Sequence, residues 1–436
     1  MSSEVVILAG GFGSRLASVI GSRIPKPMAL INGKPLLEHQ IELCASYGFD
    51  DIVILLHHLP DVIKDYFKDG KKWGIKLNYV IEKSPRGTAG AIHDALPLLA
   101  DKFLIIYGDT YLNVDLRAFW DAKNEKDALL TFAHPNSHPF DSDLLVLDKD
   151  NFVINVFRPK INQEELYENV VNAALYVADA SVFESHVPVN GEMDISSQLF
   201  PKMIQNKDVI RAYRSVEYIH DMGTPERYSS VKDDIIKNIP QRLSLSTKRK
   251  CIFLDRDGVI NFDVGHLNNI KDFRLINGIE KLIKRLNEEG YLVICVTNQP
   301  VIARGELSIS ELNEIHKYLQ VLLGMKGAYL DDIFYCPHHP DSGFPGEIPE
   351  LKIKCKCRKP SPGMLLDAIS KYNIDVKDSW MIGDHMRDIE AGKAAGVKTI
   401  FFGNEYKTLN DDDMPDNNAL THEDVLEIIL PKNEHI

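Results

Sequence analysis

Two aspartates one residue apart at the end of an apolar run can share work on a phosphate. The sequence has such a pair, Asp255-Arg256-Asp257, directly after Cys251-Ile252-Phe253-Leu254. One carboxylate can attack phosphorus while its neighbour moves a proton. A bare Asp-x-Asp is usually a solvated acidic turn, so its meaning depends on its companions. Thr297 and Asn298 close a later apolar run, Arg358-Lys359 precedes a helical pattern, and Asp384 and Asp388 follow Ile382-Gly383. Hydroxyl, cations and two further carboxylates in this order form a set suited to phosphate and a hard cation. A second constellation is Cys336-x-His338 with Cys355-x-Cys357, four ligands whose spacing suits structural zinc. A third lies near the N-terminus, where Gly10-Gly11-Phe12-Gly13-Ser14-Arg15 follows Val5-Val6-Ile7-Leu8. Glycines there let main-chain N–H groups approach phosphate oxygens, and Arg15 adds charge. The loop lacks the glycine at Leu16 that a dinucleotide fold needs, and the Gly-Lys-Ser/Thr ending of a P-loop.

These residues need rigid elements behind them. Val5–Leu8, Ile52–Leu56, Phe103–Tyr107 and Ala128–Phe132 read as strands of a first half. Cys251–Leu254, Leu292–Thr297, Ser379–Ile382 and Thr399–Phe402 read as strands of a second. Helical patterns alternate with them, so each half is expected to be an α/β domain, doubly wound on a mostly parallel sheet. Domain boundaries are expected at 1–238 and 250–436. Residues 239–249, rich in proline, serine and basic side chains without apolar periodicity, read as a linker.

The first half resembles the sugar-phosphate nucleotidyltransferase family. The resemblance rests on the Gly10–Leu16 loop, Pro25-Lys26-Pro27-Met28, Asn32-Gly33-Lys34-Pro35, Ser84-Pro85-Arg86-Gly87-Thr88-Ala89-Gly90, Tyr107-Gly108-Asp109 and Asp221-Met222-Gly223-Thr224-Pro225. It implies a Rossmann-like domain in which Gly10, Gly11, Gly13 and Ser14 hold nucleotide phosphates. Arg15 and Lys26 then stabilise charge, Gly87 and Thr88 contact base and sugar, and Asp109 and Asp221 bind Mg²⁺. The family's sugar-phosphate lysine is replaced within Phe157-Arg158-Pro159-Lys160, so Arg158 is expected in that role, with Lys160 as second choice. Ala174 stands where the family normally has glycine.

The second half resembles the haloacid dehalogenase superfamily, and within it the heptose bisphosphate phosphatases and the related histidinol phosphatases. The four ordered motifs and the cysteine loop carry this, together with Ile302-Ala303-Arg304-Gly305. The resemblance implies Asp255 as nucleophile and Asp257 as acid and base. Asp255, Asp257 (through its main-chain carbonyl), Asp384 and Asp388 form the Mg²⁺ site. Thr297, Asn298, Arg304, Arg358 and Lys359 are implied on the substrate, and Cys336, His338, Cys355 and Cys357 on a structural Zn²⁺. Pro300-Val301 departs from the family's usual Ser-Gly.

The two resemblances share one pathway. Residues 24–35 look closest to the heptose 1-phosphate guanylyltransferases, which implies heptose phosphates and a nucleoside triphosphate as substrates. A transferase for another sugar 1-phosphate or base, a histidinol phosphatase, and a first half that only senses nucleotide remain as alternatives.

Composition agrees with two ordinary globular cores: 436 residues, 44% hydrophobic and 26% charged. The net charge of −13 argues against nucleic-acid or anionic-membrane partners. The N-terminus enters an apolar strand without a basic leader, so the expected location is the cytoplasm. With six cysteines in a reducing compartment, the cluster around His338 reads as metal binding before disulfide bonding.

Overall fold

The computed structural model describes residues 3–161, 165–343, 345–404 and 414–431. They divide into two compact units: 1–134, 141–159 and 170–244 in the first, and 135–140, 160–169 and 245–436 in the second. The segment expected as a linker is therefore divided. Ile239–Arg242 is a short helix with Ile239 and Pro240 buried, and the Pro240 carbonyl accepts from Asn113 Nδ2 at 2.8 Å. Arg249 is buried in the second unit, and its N–H bonds to the Asn373 carbonyl at 3.0 Å. The isolated apolar and basic side chains of this stretch find partners that their lack of periodicity did not reveal.

The first unit has β1 (Ser3–Leu8), β2 (Asp51–Leu56), β3 (Lys76–Ile81), β4 (Leu99–Tyr107), β5 (Thr110–Asn113) and β6 (Leu129–His134). It continues with β7 (Leu144–Leu147), β8 (Val153–Phe157), β9 (Val171–Asp179), β10 (Ile210–Arg214) and β11 (Tyr218–Asp221). Its nine-stranded sheet runs β8-β7-β9-β4-β1-β2-β3, with β6 against β9 and β10 against β6. Strands β4, β1, β2 and β3 are parallel, and β9 adds an antiparallel block beyond β4. Val5, Ile7, Ile52, Ile54, Leu104 and Ile106 enter one apolar cluster, while Val6, Val53, Leu55, Phe103 and Ile105 enter another. Helix Leu36–Ser46 covers the first face through Leu37, Ile41 and Cys44, and helix Gly87–Ala95 covers the second through Ala91, Ile92 and Ala95. A continuous apolar run is what a strand buried on both faces requires. Each fully buried Val, Ile or Leu side chain contributes roughly 1.5–3 kcal/mol.

The second unit has β12 (Cys251–Leu254), β13 (Leu292–Asn298), β14 (Asp332–Cys336), β15 (Trp380–Gly383), β16 (Lys398–Phe402) and β17 (Asn417–Ala419). Its sheet runs β14-β13-β12-β15-β16-β17, parallel throughout.

Both sheets reverse winding direction beside their first strand. In the first unit β2 lies on one side of β1 and β4 on the other; in the second, β13 and β15 flank β12. Loops leaving the carboxyl ends of such neighbours diverge and open a crevice, the usual ligand position in open α/β sheets. Gly10–Arg15 and Asp109 lie at the first reversal, and Asp255 and Asp384 at the second. Among the described residues, no helix is long and apolar enough to cross a membrane.

Two candidate active sites and a candidate metal centre

The crevice of the first unit is a cleft of about 500 Å³. Gly10, Gly11, Gly13, Ser14, Arg15, Lys26, Gly87, Thr88 and Asp109 all line it, so nine residues expected at a nucleotide site meet in one place. Gly13 adopts φ +59°, and a Cβ there would lie 2.9 Å from Lys26 Cβ. The loop can therefore pack onto the lysine only as glycine. Lys26 is buried, and its Nζ meets Asp109 Oδ2 at 2.5 Å.

Asp221 is not among the residues that line the cleft; a two-stranded ribbon sets it beside the segment that carries Asp109. Strand β11 pairs antiparallel with β5 and sets Asp221 opposite Thr110, and the Asp109 carbonyl accepts from Met222 N–H at 2.9 Å. Burial alone would raise the Asp221 pKa, but Arg227 Nη1 at 2.9 and 3.0 Å and the Gly223 N–H at 2.8 Å hold it below the usual carboxylate range. The carboxylates of Asp109 and Asp221, on adjacent chain segments, are the kind of oxygen donor that Mg²⁺ takes together with substrate phosphates.

Arg158 behaves differently from expectation. Its guanidinium is held by Asp143 Oδ1 at 2.8 and 3.1 Å and does not line the cleft. Asp143, fifteen residues upstream and bonded also to Ser196 Oγ at 2.7 Å, captures it. Sequence order could not foresee that pairing. Lys160, the second choice, falls in the second unit. Ala174 sits at φ +57°, the left-handed conformation that favours glycine, which accounts physically for the residue expected there.

Two acidic cleft residues escaped the sequence reading: Asp194 accepts from Thr88 N and Oγ1 at 3.3 and 3.2 Å, and Glu82 closes the wall near Gly10. Arg86, quoted within the Ser84–Gly90 segment, ion-pairs with Asp94 at 3.0 Å. Asp194 has no local motif, since its partner is over a hundred residues away. Glu82 was within reach, two residues before the Ser84–Gly90 segment.

In the second unit, Lys359 is the hub. Its side chain is wholly buried, with Nζ 2.9 Å from Asp255 Oδ1, 2.7 Å from Asp388 Oδ1 and 2.7 Å from the Val296 carbonyl. The Lys359 main chain is clamped by Asn298, whose Oδ1 accepts at 3.0 Å and whose Nδ2 donates at 3.0 Å. Burial would lower the lysine pKa; the two carboxylates outweigh it and raise it. Burial pushes Asp255 up to about 6, and the Asp388 carboxylate adds to this against the pull of Lys359. Two buried carboxylates thus share one ammonium, an excess of negative charge that a divalent cation would offset.

Asp384 lies close by. Gly258, at φ +88°, faces its carboxylate so tightly that a Cβ would collide with it. Asp384 and Asp388 lie with His385 in a group able to hold a metal. Helix Met386–Ala395 fixes Asp388 as the third residue of a capping box, accepting from His385 N–H at 3.1 Å. The two carboxylates of this group, not the imidazole, are the oxygen donors that Mg²⁺ takes.

Asp257 is held by Arg256 Nη2 at 2.9 Å, Gln299 Nε2 at 2.9 Å and Asn261 Nδ2 at 2.9 Å. Burial would raise its pKa, but Arg256, Asn261 and Gln299 bring it below the usual range. Gln299 also donates to Thr297 Oγ1 at 2.9 Å. Arg304 Nη1 contacts His266 Nε2 at 2.8 Å, and Arg358 Nη1 donates to the His338 carbonyl at 3.3 Å.

The cysteine loop closes as its spacing demands. Cys336 Sγ lies 3.5 Å from Cys355 Sγ and 3.2 Å from Cys357 Sγ, Cys355 and Cys357 are 3.3 Å apart, and His338 Nδ1 is 3.3 Å from Cys357 Sγ. A tetrahedral site with Zn–S of about 2.3 Å has ligand spacings near ~3.8 Å. His339 Nδ1 instead takes the Asp341 N–H at 3.2 Å. Metal analysis of full-length protein is expected to find about one zinc per chain, lost in Cys357→Ser. Metal-replete protein without zinc would remove the assignment.

Residues 4–238 match the nucleotidyl transferase family model, and residues 356–428 match an HAD-hydrolase-like model. A D-glycero-beta-D-manno-heptose-1,7-bisphosphate 7-phosphatase of Haemophilus ducreyi is 43% identical over 152 residues, 35% of this chain and 81% of that protein. The D-glycero-alpha-D-manno-heptose-1,7-bisphosphate 7-phosphatase of Photorhabdus laumondii is 42% identical over 173 residues, 40% of this chain and 91% of the relative. Among solved structures, HddC from Yersinia pseudotuberculosis is 28% identical, with 54% of this chain and all of that one covered at a TM-score of 0.47. The chain belongs to the nucleotidyl transferase family through its first half and to the heptose bisphosphate phosphatase family of HAD hydrolases through its second. It is a bifunctional enzyme, a nucleotidyltransferase joined to a phosphatase.

Proposed function

We propose that the chain performs two consecutive steps in making a nucleotide-activated heptose. The phosphatase half removes the 7-phosphate of D-glycero-D-manno-heptose 1,7-bisphosphate, and the transferase half joins the heptose 1-phosphate to GMP from GTP, releasing pyrophosphate. The observation that carries this reading is a pair of charged sites, each at a sheet reversal, on a chain whose second half belongs to the heptose bisphosphate phosphatases.

In the phosphatase, an Asp255 oxygen attacks the 7-phosphorus and forms an aspartyl-phosphate. Lys359 and Thr297 hold the phosphoryl oxygens. Asp257 gives a proton to the leaving 7-oxygen and then takes one from water. Its resting carboxylate suits the second role, and an approaching phosphate dianion raises its proton affinity for the first. Mg²⁺ held by Asp255, the Asp257 carbonyl, Asp384 and Asp388 would screen the two anions as they meet.

In the transferase, a heptose 1-phosphate oxygen attacks the α-phosphorus of the triphosphate directly. Gly10, Gly11, Gly13 and Ser14 present main-chain donors to the phosphates, while Arg15 and Lys26 stabilise charge as pyrophosphate leaves. Mg²⁺ at Asp109 and Asp221 would supply further neutralisation.

Glu82 favours guanine as the base. Burial raises its pKa; Oε1 takes the Arg86 N–H at 3.2 Å, and Oε2 lies at the Gly10 wall. A carboxylate only accepts, and guanine alone among the common bases offers two adjacent donors on its pairing edge, N1–H and the 2-amino group. A nucleotide panel with heptose 1-phosphate, read by pyrophosphate release, is expected to rank GTP first. Glu82→Gln is expected to lower kcat/KM for GTP by about tenfold or more while other triphosphates change less. Preference for another base, unmoved by this change, would overturn the guanylyl assignment.

A further inference from the structure

Arg256, between the two catalytic aspartates, is a charged side chain with no exposed surface. Its guanidinium divides into two sides. Nε and Nη2 reach the Asp257 carboxylate at 2.9 to 3.2 Å, and Nη1 meets His316 Nε2 at 3.3 Å. Arginine only donates, so Nε2 must be the acceptor and the imidazole neutral. Burial, then the facing Arg256 charge, drops the His316 pKa to about 3, which keeps it so. His316 is itself positioned firmly. It lies on the buried face of helix Ile309–Gly324 with Leu312, Ile315 and Leu319, and Ser308 and Glu311 cap that helix reciprocally.

We propose that His316 is a positioning residue for phosphate-ester cleavage. By accepting from Nη1 it sets the rotation of the Arg256 plane, and the other edge of that plane aims Asp257 at the leaving oxygen. The inference rests on Asp257 as the proton donor of the phosphatase. In that step the P–O(alkyl) bond breaks, phosphorus becomes bonded to an Asp255 oxygen, and the Asp257 proton passes to the departing alkoxide, which leaves as an alcohol. A misaimed Asp257 slows water attack on the shared aspartyl-phosphate for every substrate, but it slows formation of that intermediate only for leaving groups that need the proton.

The test compares two substrates in one preparation of full-length protein with Mg²⁺. The sugar 7-phosphate ester leaves as an alkoxide; p-nitrophenyl phosphate leaves as a stable phenolate. The ratio of their kcat/KM values reports only the steps up to departure of the leaving group, before the shared hydrolysis, and does not depend on the folded fraction. His316→Leu, which removes the acceptor, is expected to lower the sugar-to-nitrophenyl ratio about tenfold or more. His316→Gln, which restores an acceptor oxygen, is expected to hold the ratio within about threefold of the parent. If the leucine variant does not fold, His316→Phe keeps a ring without the acceptor and is read by the same ratio. Parallel loss of both activities without a ratio change makes His316 merely structural and overturns the proposal. Asp257→Asn separates the two layers. If it leaves the ratio intact, the proton-donor reading fails; if it collapses the ratio while His316→Leu does not, only the His316 inference fails.

Discussion

Asp255→Asn is expected to lower phosphate release from heptose 1,7-bisphosphate by roughly a thousandfold or more, and to leave pyrophosphate release by the same molecules unchanged. The amide is nearly isosteric with the carboxylate but is no nucleophile, so the aspartyl-phosphate cannot form. The substitution should not unfold the domain. Asp255 and Asp388 compete for the single Lys359 ammonium, at 2.9 and 2.7 Å, and Asp255 is pushed up to about 6 by burial and by that neighbour. Removing one of two crowded carboxylates relieves repulsion and leaves Asp388 to neutralise the lysine. Inorganic phosphate and pyrophosphate assays on one preparation give the answer. Retained phosphate release would displace Asp255 as nucleophile, and loss of both activities would show that the two reactions depend on each other.

Lys26→Ala is expected to have the opposite effect, cutting pyrophosphate release by about a hundredfold or more while phosphate release continues. Lys26 is a buried cation 2.5 Å from Asp109 in the cleft that holds the glycine loop. Alanine keeps the Cβ against which Gly13 packs, so the loop retains its seat. What is lost is positive charge beside the phosphates, and Asp109 is left without its partner. Lys26→Arg, with a planar and bulkier head, should recover only part of the rate. A substitution that raised KM and spared kcat would limit Lys26 to nucleotide binding.

The legible parts of the molecule are those where chemistry and chain order coincide. Strand cores such as Val5–Leu8 and Cys251–Leu254 are continuous apolar runs because their sheets are covered on both faces. The residues at their carboxyl ends follow directly in sequence, so Gly10–Arg15 and Asp255–Asp257 could be read without coordinates. The candidate zinc ligands were equally plain, since Cys336-x-His338 and Cys355-x-Cys357 are two closely spaced pairs.

Three features needed the fold. Arg158 matches a motif position, yet Asp143 holds it outside the cleft. Residues 239–249 look like a connector, yet Ile239, Pro240 and Arg249 are buried. His316, an unremarked histidine on an amphipathic helix, touches Arg256, between the two aspartates proposed as nucleophile and acid-base. Sequence by itself determined the strands and the polar residues that follow their carboxyl ends, because strand and loop chemistry are local. Only the tertiary structure decided which side chains pair with, neutralise or withdraw those residues, because such pairings depend on burial and on contacts between residues tens to more than a hundred positions apart.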